Sequence, residues 1–106
     1  MAGHLVEKGY KDAAAVLAGS TLEVHVRNLC DKHGVTTTSA GKPKNAETLN
    51  MDLVKAGAHT KLDQKNLTAW FGLRNNAAHG KYNEYTQDQV RLLIDSIRDF
   101  ISRHPA

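Results

Sequence analysis

Apolar side chains recur every three or four residues along most of the chain, which is the spacing of the buried face of an α-helix. The pattern is clearest near the C-terminus, at Val90, Leu93, Ile94, Ile97, Phe100 and Ile101. Thr86 and Gln89 have the spacing of a capping box, and Pro105 cannot continue a helix. We therefore predict a final helix that begins after Thr86 and ends near Arg103.

The same period predicts a long first helix over about 10–33, closed by Gly34. Its apolar positions are Val16, Leu22, Val26, Leu29 and Cys30. Gly19 lies in the middle of this segment, where a glycine weakens a helix and favours a kink. Residues 2–9 are expected to add a short turn or helix before it.

Two shorter helices are expected between these. One covers about 46–56 and ends at Gly57, a residue type that commonly follows a helix C-terminus. The other covers about 63–76, with Asp63 as its N-cap. On this second helix, one stripe holds Leu67, Trp70, Phe71 and Arg74. An arginine therefore continues the line of the core residues.

The segment 35–45, with the sequence VTTTSAGKPKN, is predicted to be a loop. Its β-branched residues at 35–39 are too isolated to build a sheet. A chain of 106 residues fits one domain around one core. The prediction is therefore a single all-α domain, 1–106, folded as an antiparallel four-to-five-helix up-and-down bundle.

The composition of the chain indicates the cellular compartment in which the protein is expected. No apolar run approaches the roughly 20 residues that cross a bilayer, so no membrane partner is expected. The stretch AAAVLAGS follows several charged residues, which argues against a signal peptide. Cys30 is the single cysteine, so the chain has no intrachain disulfide, and its place on an apolar stripe predicts a core residue. We expect a cytoplasmic protein.

The sequence offers no motif for a metal or a cofactor. The six histidines never fall three or four residues apart, and no cysteine or carboxylate cluster accompanies them, as a metal site requires. Glycine-rich phosphate loops and a serine nucleophile elbow are also absent from the sequence. We therefore expect neither a structural metal nor a cofactor.

One polar cluster interrupts an apolar helix, because residues 72–80 read GLRNNAAHG. It places Arg74, Asn75 and His79 within six residues. The positive charge of the chain is concentrated around it, since residues 35–83 carry seven basic and three acidic side chains. A mild basic excess of this kind is compatible with an anionic partner.

The segment Arg74-Asn75-Asn76-Ala77-Ala78-His79 resembles the motif of the HEPN superfamily, small helical domains of bacterial toxins, defence systems and RNA-processing proteins. That motif has an arginine, usually a polar residue, and a histidine after four to six intervening positions. Arg27 to His33 and Arg98 to His104 fit the same spacing, so spacing alone does not select a site. The central match is favoured by its position between the last two predicted helices, as in the family.

The resemblance implies a metal-independent ribonuclease of toxin or phage-defence type. In it, His79 is the general acid or base, Arg74 binds the phosphate, and Asn75 positions a phosphate or His79. The family usually forms two-fold homodimers that bring two motifs into one cleft, so a homodimer is expected. The residues expected to bind RNA are Lys61, Lys65, Asn76, Lys81 and Tyr82.

The motif requires a particular local structure. In a continuous helix, five residues separate Arg74 from His79 by about 140° around the axis and about 7.5 Å along it. Asn75, Asn76 and Gly80 favour an end of the helix between these two residues, which would let His79 swing back. A toxin subgroup has a tyrosine two residues after the histidine, which its antitoxin modifies; here Lys81 holds that position and Tyr82 follows.

Two alternatives stay open. Arg74 can pair with a carboxylate across the bundle while Asn75, Asn76 and His79 cap a helix end, without any chemistry. The domain can also be a non-catalytic module for dimerisation or for binding nucleic acid or nucleotides. An antitoxin, or a larger protein of which this chain is a part, would be a further partner.

Overall fold

The first helix within the described residues is long and continuous. The computed structural model describes residues 10–106, so the turn or helix expected at 2–9 lies outside the described residues. Helix α1 spans Lys11–Lys32 and is followed by Gly34 with a φ of 70°, as the sequence predicts. The helix runs through Gly19 without interruption.

The segment after α1 contains a small hairpin instead of a wholly irregular loop. Strand β1, Thr38–Ser39, pairs antiparallel with β2, Lys42–Pro43. The two residues between them, Ala40 and Gly41, have φ angles of 52° and 78°. Positive φ at both central positions belongs to the type I′ turn that favours two-residue hairpins. The sequence prediction missed the hairpin because Ala40 is not one of the residue types that normally mark this turn.

Helices α2 and α3 follow after short connections. Helix α2 spans Ala46–Lys55, with Asn45 as its N-cap, and Gly57 follows with a φ of 74°, as predicted. Helix α3 spans Lys61–Ala78 and begins two residues earlier than predicted, because Thr60 is its N-cap. Asp63 is the third helical residue, and its carboxylate completes a capping box with Thr60. The prediction of Asp63 as the N-cap was therefore wrong, although Asp63 does stabilise this end.

The C-terminal part of the chain agrees with its predicted boundaries. A short 3₁₀ helix, Tyr82–Glu84, leads into α4, which spans Gln87–Arg103. Thr86 and Gln89 form the expected capping box, with the Gln89 N–H donating to Thr86 Oγ1 at 3.2 Å. The all-α prediction is confirmed for residues 10–106, apart from the two-residue strands of the hairpin.

The helices pack around α1, which contacts the other three. Lys11 at the start of α1 donates to the carbonyl oxygen of Tyr85, just before α4, and His25 near the other end bonds to the carbonyl oxygen of His104. Helices α1 and α4 therefore run in the same direction, with α3 opposite to both. Glu47 at the start of α2 contacts Thr68, and Asn50 contacts Gln64, so α2 is antiparallel to α3 and runs in the same direction as α1. The strict alternation of an up-and-down bundle is therefore not observed.

Within residues 10–106, one apolar core lies between the four helices. Its fully buried large side chains are Leu22, Val26, Leu49, Leu53, Leu67, Val90, Leu93 and Phe100. Cys30 is also fully buried, as predicted, and burial raises the pKa of its thiol. Within residues 10–106, no helix combines the length and the apolar character needed to cross a membrane.

A polar layer joins the end of α4 to the start of α3. Asp63 lies 3.4 Å from Arg103 Nη2 and 3.3 Å from His104 Nε2. Burial raises the pKa of this carboxyl, but hydrogen bonds from Thr60 and the charge and hydrogen bond of Arg103 lower it more, so the net pKa lies below its usual value. The layer therefore fastens two helix ends through one carboxylate.

His59 is buried next to this layer and is held by an amide. Asn50 donates its amide nitrogen to the Gln64 carbonyl oxygen at 2.9 Å, which turns Asn50 Oδ1 toward the imidazole. His59 Nε2 therefore carries the proton and donates to Asn50 Oδ1 at 2.9 Å. Burial lowers the pKa of His59, so this ring is kept in its neutral form.

Candidate functional site

Helix α3 does not end at the asparagines of the motif. It continues through Ala78, and His79 is its C-cap residue. Gly80 follows with a φ of 75°, and its N–H donates to the Ala77 carbonyl while the N–H of Lys81 donates to the Asn76 carbonyl at 2.8 Å. These two bonds are the Schellman arrangement that ends a helix at a left-handed glycine.

The helix therefore ends at Ala78, two residues later than the predicted end near Asn76, and His79 does not swing back across the helix. The physical reason is that Gly80 adopts the left-handed conformation more easily than either asparagine does. The two side chains remain about 140° apart around the axis of one helix. Within a single chain, Arg74 and His79 consequently do not face a common substrate position.

Arg74 lies on the inner side of α3 and is held from several directions. Its side chain is 17% exposed, and Nη2 lies 3.3 Å from Glu23 Oε1 on α1. Nε donates to Asn75 Oδ1 at 3.1 Å, and the guanidinium carbon lies 5.3 Å from the centre of the Phe71 ring. This is the pairing with a carboxylate across the bundle that the sequence left open. Asn75 contacts Arg74 with its side chain and His79 with its backbone carbonyl.

Gly19 makes room for the aliphatic part of Arg74. A Cβ placed on Gly19 would overlap Arg74 Cγ and would lie 2.5 Å from Arg74 Cβ. Real Cβ atoms essentially never come this close to another side chain. The glycine that was expected to weaken α1 therefore permits a close crossing of α1 and α3 at the arginine.

Glu23 is shared by two arginines. Its second oxygen, Oε2, lies 3.3 Å from Nη2 of Arg27, one helical turn further along α1. Arg27 also donates to the Lys44 carbonyl oxygen at 2.8 Å, which ties it to the residue before the N-cap of α2. The carboxylate therefore stands between two guanidinium groups, and the local formal charge of these three side chains is positive.

His79 and its neighbours lie at the exposed end of α3. His79 and Lys81 are exposed, and Tyr82 is 48% exposed. Asn76 is half-buried and lines a groove between α3 and α4. Four of the predicted site residues are thus adjacent, and three of them are open to a ligand.

Lys61 and Lys65 lie at the other end of the helix. Both are exposed, but Lys61 is the first residue of α3. At about 1.5 Å per residue, it is roughly 27 Å from His79 along the axis. The two lysines therefore do not join Lys81 and Tyr82 in one patch on a single chain.

The three arginine-to-histidine pairs share a structural origin. His33, His79 and His104 are the C-cap residues of α1, α3 and α4 respectively. Basic side chains are favoured near helix C-termini because they interact with the partial negative charge there. The histidine of each pair is therefore explained by its place at the end of a helix. Arg74 differs from the exposed Arg98 in that its side chain is half-buried and paired with Glu23.

The described residues do not form a metal site. Among residues 10–106, no group of three or more histidine, cysteine, aspartate or glutamate side chains is arranged to hold a metal ion. The residues that sequence reasoning missed are Gly19 and Glu23. Neither belongs to a motif, and only the crossing of α1 with α3 reveals their contact with Arg74.

No family model, curated protein or solved structure matches the chain.

Proposed function

We propose that the protein is a metal-independent endoribonuclease of toxin or phage-defence type that acts in the cytoplasm as a homodimer. The observation that carries the proposal is the anchoring of Arg74 by Glu23, Asn75 and Phe71 on the helix that ends at the exposed His79. The likeness of this segment to the HEPN motif supports it. An arginine held in a fixed orientation suits the cleavage of a phosphodiester, because it can stabilise the charge that develops on the phosphate.

The chemistry needs only groups that these residues supply. A base removes the proton from the ribose 2′-OH, the 2′ oxygen attacks the adjacent phosphorus, and the bond from phosphorus to the 5′ oxygen breaks. An acid protonates that leaving oxygen, which gives a 2′,3′-cyclic phosphate and a 5′-hydroxyl. His79 serves as the acid or the base because imidazole changes charge near neutral pH. Arg74 stabilises the charge that grows on the phosphate oxygens.

A second copy of the chain completes the proposed site. Arg74 and His79 point to different sides of one continuous helix, so one chain does not place both on the same phosphate. Two copies related by a two-fold axis would bring the histidine of one chain to the arginine of the other. Lys81 and Tyr82, next to His79, would then contact the RNA backbone and a base.

The test is cleavage of a mixture of structured and single-stranded RNAs in EDTA. We expect the wild type to cleave, and Arg74→Ala and His79→Ala to lose cleavage while keeping their helical circular dichroism. Arg98→Ala and His33→Ala are matched controls, because they alter the other arginine-to-histidine pairs, and both should retain activity. If a control variant lost cleavage while Arg74→Ala and His79→Ala kept it, the active site would belong to one of the other arginine-to-histidine pairs.

The second candidate is a non-catalytic module for dimerisation or for binding nucleic acid or nucleotides. It is favoured by the ion pair between Arg74 and Glu23, which satisfies the arginine without any substrate. It is also favoured by the recurrence of a histidine at three helix ends. A wild-type protein that binds RNA or a nucleotide in a filter assay, yet cleaves no RNA over hours, would establish this candidate and refute the nuclease.

A further inference from the structure

We infer that Glu23, on α1, is a positioning residue that aims the guanidinium of Arg74 at a substrate phosphate, with Gly19 providing the space. The inference rests on the proposed function, because it assigns a role to Arg74. Glu23 stands 51 positions before Arg74 in the sequence and lies outside the motif. Its importance follows from the geometry of the contact between α1 and α3.

The hydrogen bonds of Arg74 leave one edge of its guanidinium free. An arginine has five N–H groups. Nε donates to Asn75 Oδ1 and one N–H of Nη2 donates to Glu23 Oε1. The two N–H groups of Nη1 and the second N–H of Nη2 have no hydrogen-bond partner among residues 10–106. These free groups form the end of the planar fork, which can hold two oxygens of one phosphate.

The stem of the side chain is fixed as well. Gly19 lies against Cβ, Cγ and Cδ of Arg74, and the Phe71 ring faces the guanidinium from the same helix. A side chain confined along its stem and bound at two nitrogens loses few rotamers when a ligand arrives. The carboxylate of Glu23 therefore contributes preorganisation in addition to an ion pair.

Arg27 explains why the carboxylate does not simply neutralise Arg74. Glu23 offers one oxygen to each arginine, at 3.3 Å in both cases. Two positive charges face one negative charge, so the cluster still attracts an anion. Arg27 is itself held by the Lys44 carbonyl oxygen, so its charge stays beside the carboxylate and adds to the attraction for a phosphate.

The experiment compares Glu23→Ala, Glu23→Gln and Arg27→Ala with the wild type. The order of the Arg74 side chain is read from the ¹⁵N relaxation of its Nε–H, assigned with Arg74→Lys, in the protein without RNA. Single-turnover cleavage and the melting temperature are measured for the same four proteins. Glu23→Gln keeps an oxygen acceptor, whereas Arg27→Ala removes a partner of Glu23 without touching Arg74.

We expect the Nε–H of Arg74 to become mobile in Glu23→Ala, to be intermediate in Glu23→Gln, and to stay rigid in Arg27→Ala. Cleavage should fall by about ten- to a hundredfold in Glu23→Ala, as for a misplaced catalytic group, with partial recovery in Glu23→Gln. The melting temperature should change little in all three, because a partly exposed ion pair adds little stability.

Two results would overturn the inference. One is an Arg74 signal that stays as rigid in Glu23→Ala as in the wild type, and the other is cleavage that Glu23→Ala leaves unchanged. If the wild type cleaves no RNA, the proposed function fails. The relaxation of Arg74 then decides the positioning claim by itself, since it is measured without substrate: a rigid signal in Glu23→Ala refutes it and a mobile one supports it.

Discussion

Replacing Gly19 with alanine tests the close crossing of α1 and α3 that supports the candidate site. In an unobstructed helix, glycine to alanine stabilises the folded state by about 0.5–1 kcal/mol. At Gly19, however, the added methyl group would overlap Arg74 Cγ and lie 2.5 Å from its Cβ. These atoms are close to the backbone of α3 and cannot move aside as the tip of a flexible side chain would.

The gain in helix propensity and the steric overlap with Arg74 oppose each other, and their magnitudes decide whether the substitution raises or lowers the free energy of unfolding. Forcing an extra methyl group into a packed contact costs about 1–3 kcal/mol. The net effect of Gly19→Ala is therefore a destabilisation of about 1 kcal/mol. In a domain of this size, that lowers the melting temperature by roughly 4–8 °C. The displaced arginine should also make RNA cleavage slower.

Gly72 supplies a matched control on α3. It is a helical glycine without a positive φ, and a Cβ there meets no atom of residues 10–106 within 4 Å. Gly72→Ala should stabilise the protein by about 0.5–1 kcal/mol, the ordinary gain of helix propensity. Urea denaturation of both variants gives the comparison. A Gly19→Ala protein that is stabilised as much as Gly72→Ala would refute the claim that the glycine is required for packing.

Thr60→Ala should lower the free energy of unfolding by about 1 kcal/mol in urea titrations, because it removes the N-cap of α3; an unchanged midpoint would contradict the capping box. His59 has a lowered pKa in the folded protein, so the unfolded chain binds the extra proton as pH falls below about 6.5 and stability is lost there. His59→Gln should lose less stability than the wild type between about pH 7 and pH 5, and an equal loss would contradict this assignment. Asp63 also has a lowered pKa, so its contribution is present above about pH 4 and disappears as pH falls through the folded pKa. Asp63→Asn should therefore be less stable than the wild type near pH 7 and should lose less stability on acidification; parallel stability curves would refute this role.

The sequence predicts the helices well because their signals are local. Capping-box spacing at Thr86 and Gln89 locates the start of α4 to the residue. The start of α3 is less certain from sequence, since Thr60 and Asp63 are both good N-cap residues and the structure uses them together. The hairpin at 38–43 depends on an alanine with positive φ, which no propensity would suggest.

The sequence predicts only part of the candidate site. The motif identifies Arg74 and His79 as candidates. The position of the helix end, however, depends on whether an asparagine or Gly80 adopts the left-handed conformation, and in the structure Gly80 does. Glu23 and Gly19 are distant in sequence and become partners of Arg74 through the crossing angle of two helices. A crossing of this kind is set by the packing of the whole core and has no signature in any short segment.

The burial of Cys30 gives the protein a natural reporter of its own opening motions. The chain has one thiol, and that thiol is fully enclosed near the end of α1, where its residue also accepts a backbone hydrogen bond from Val35. A disulfide reagent can reach it only when α1 separates from the core or the whole domain unfolds. The rate of labelling under native conditions therefore measures how often this part of the molecule opens, without any engineered probe.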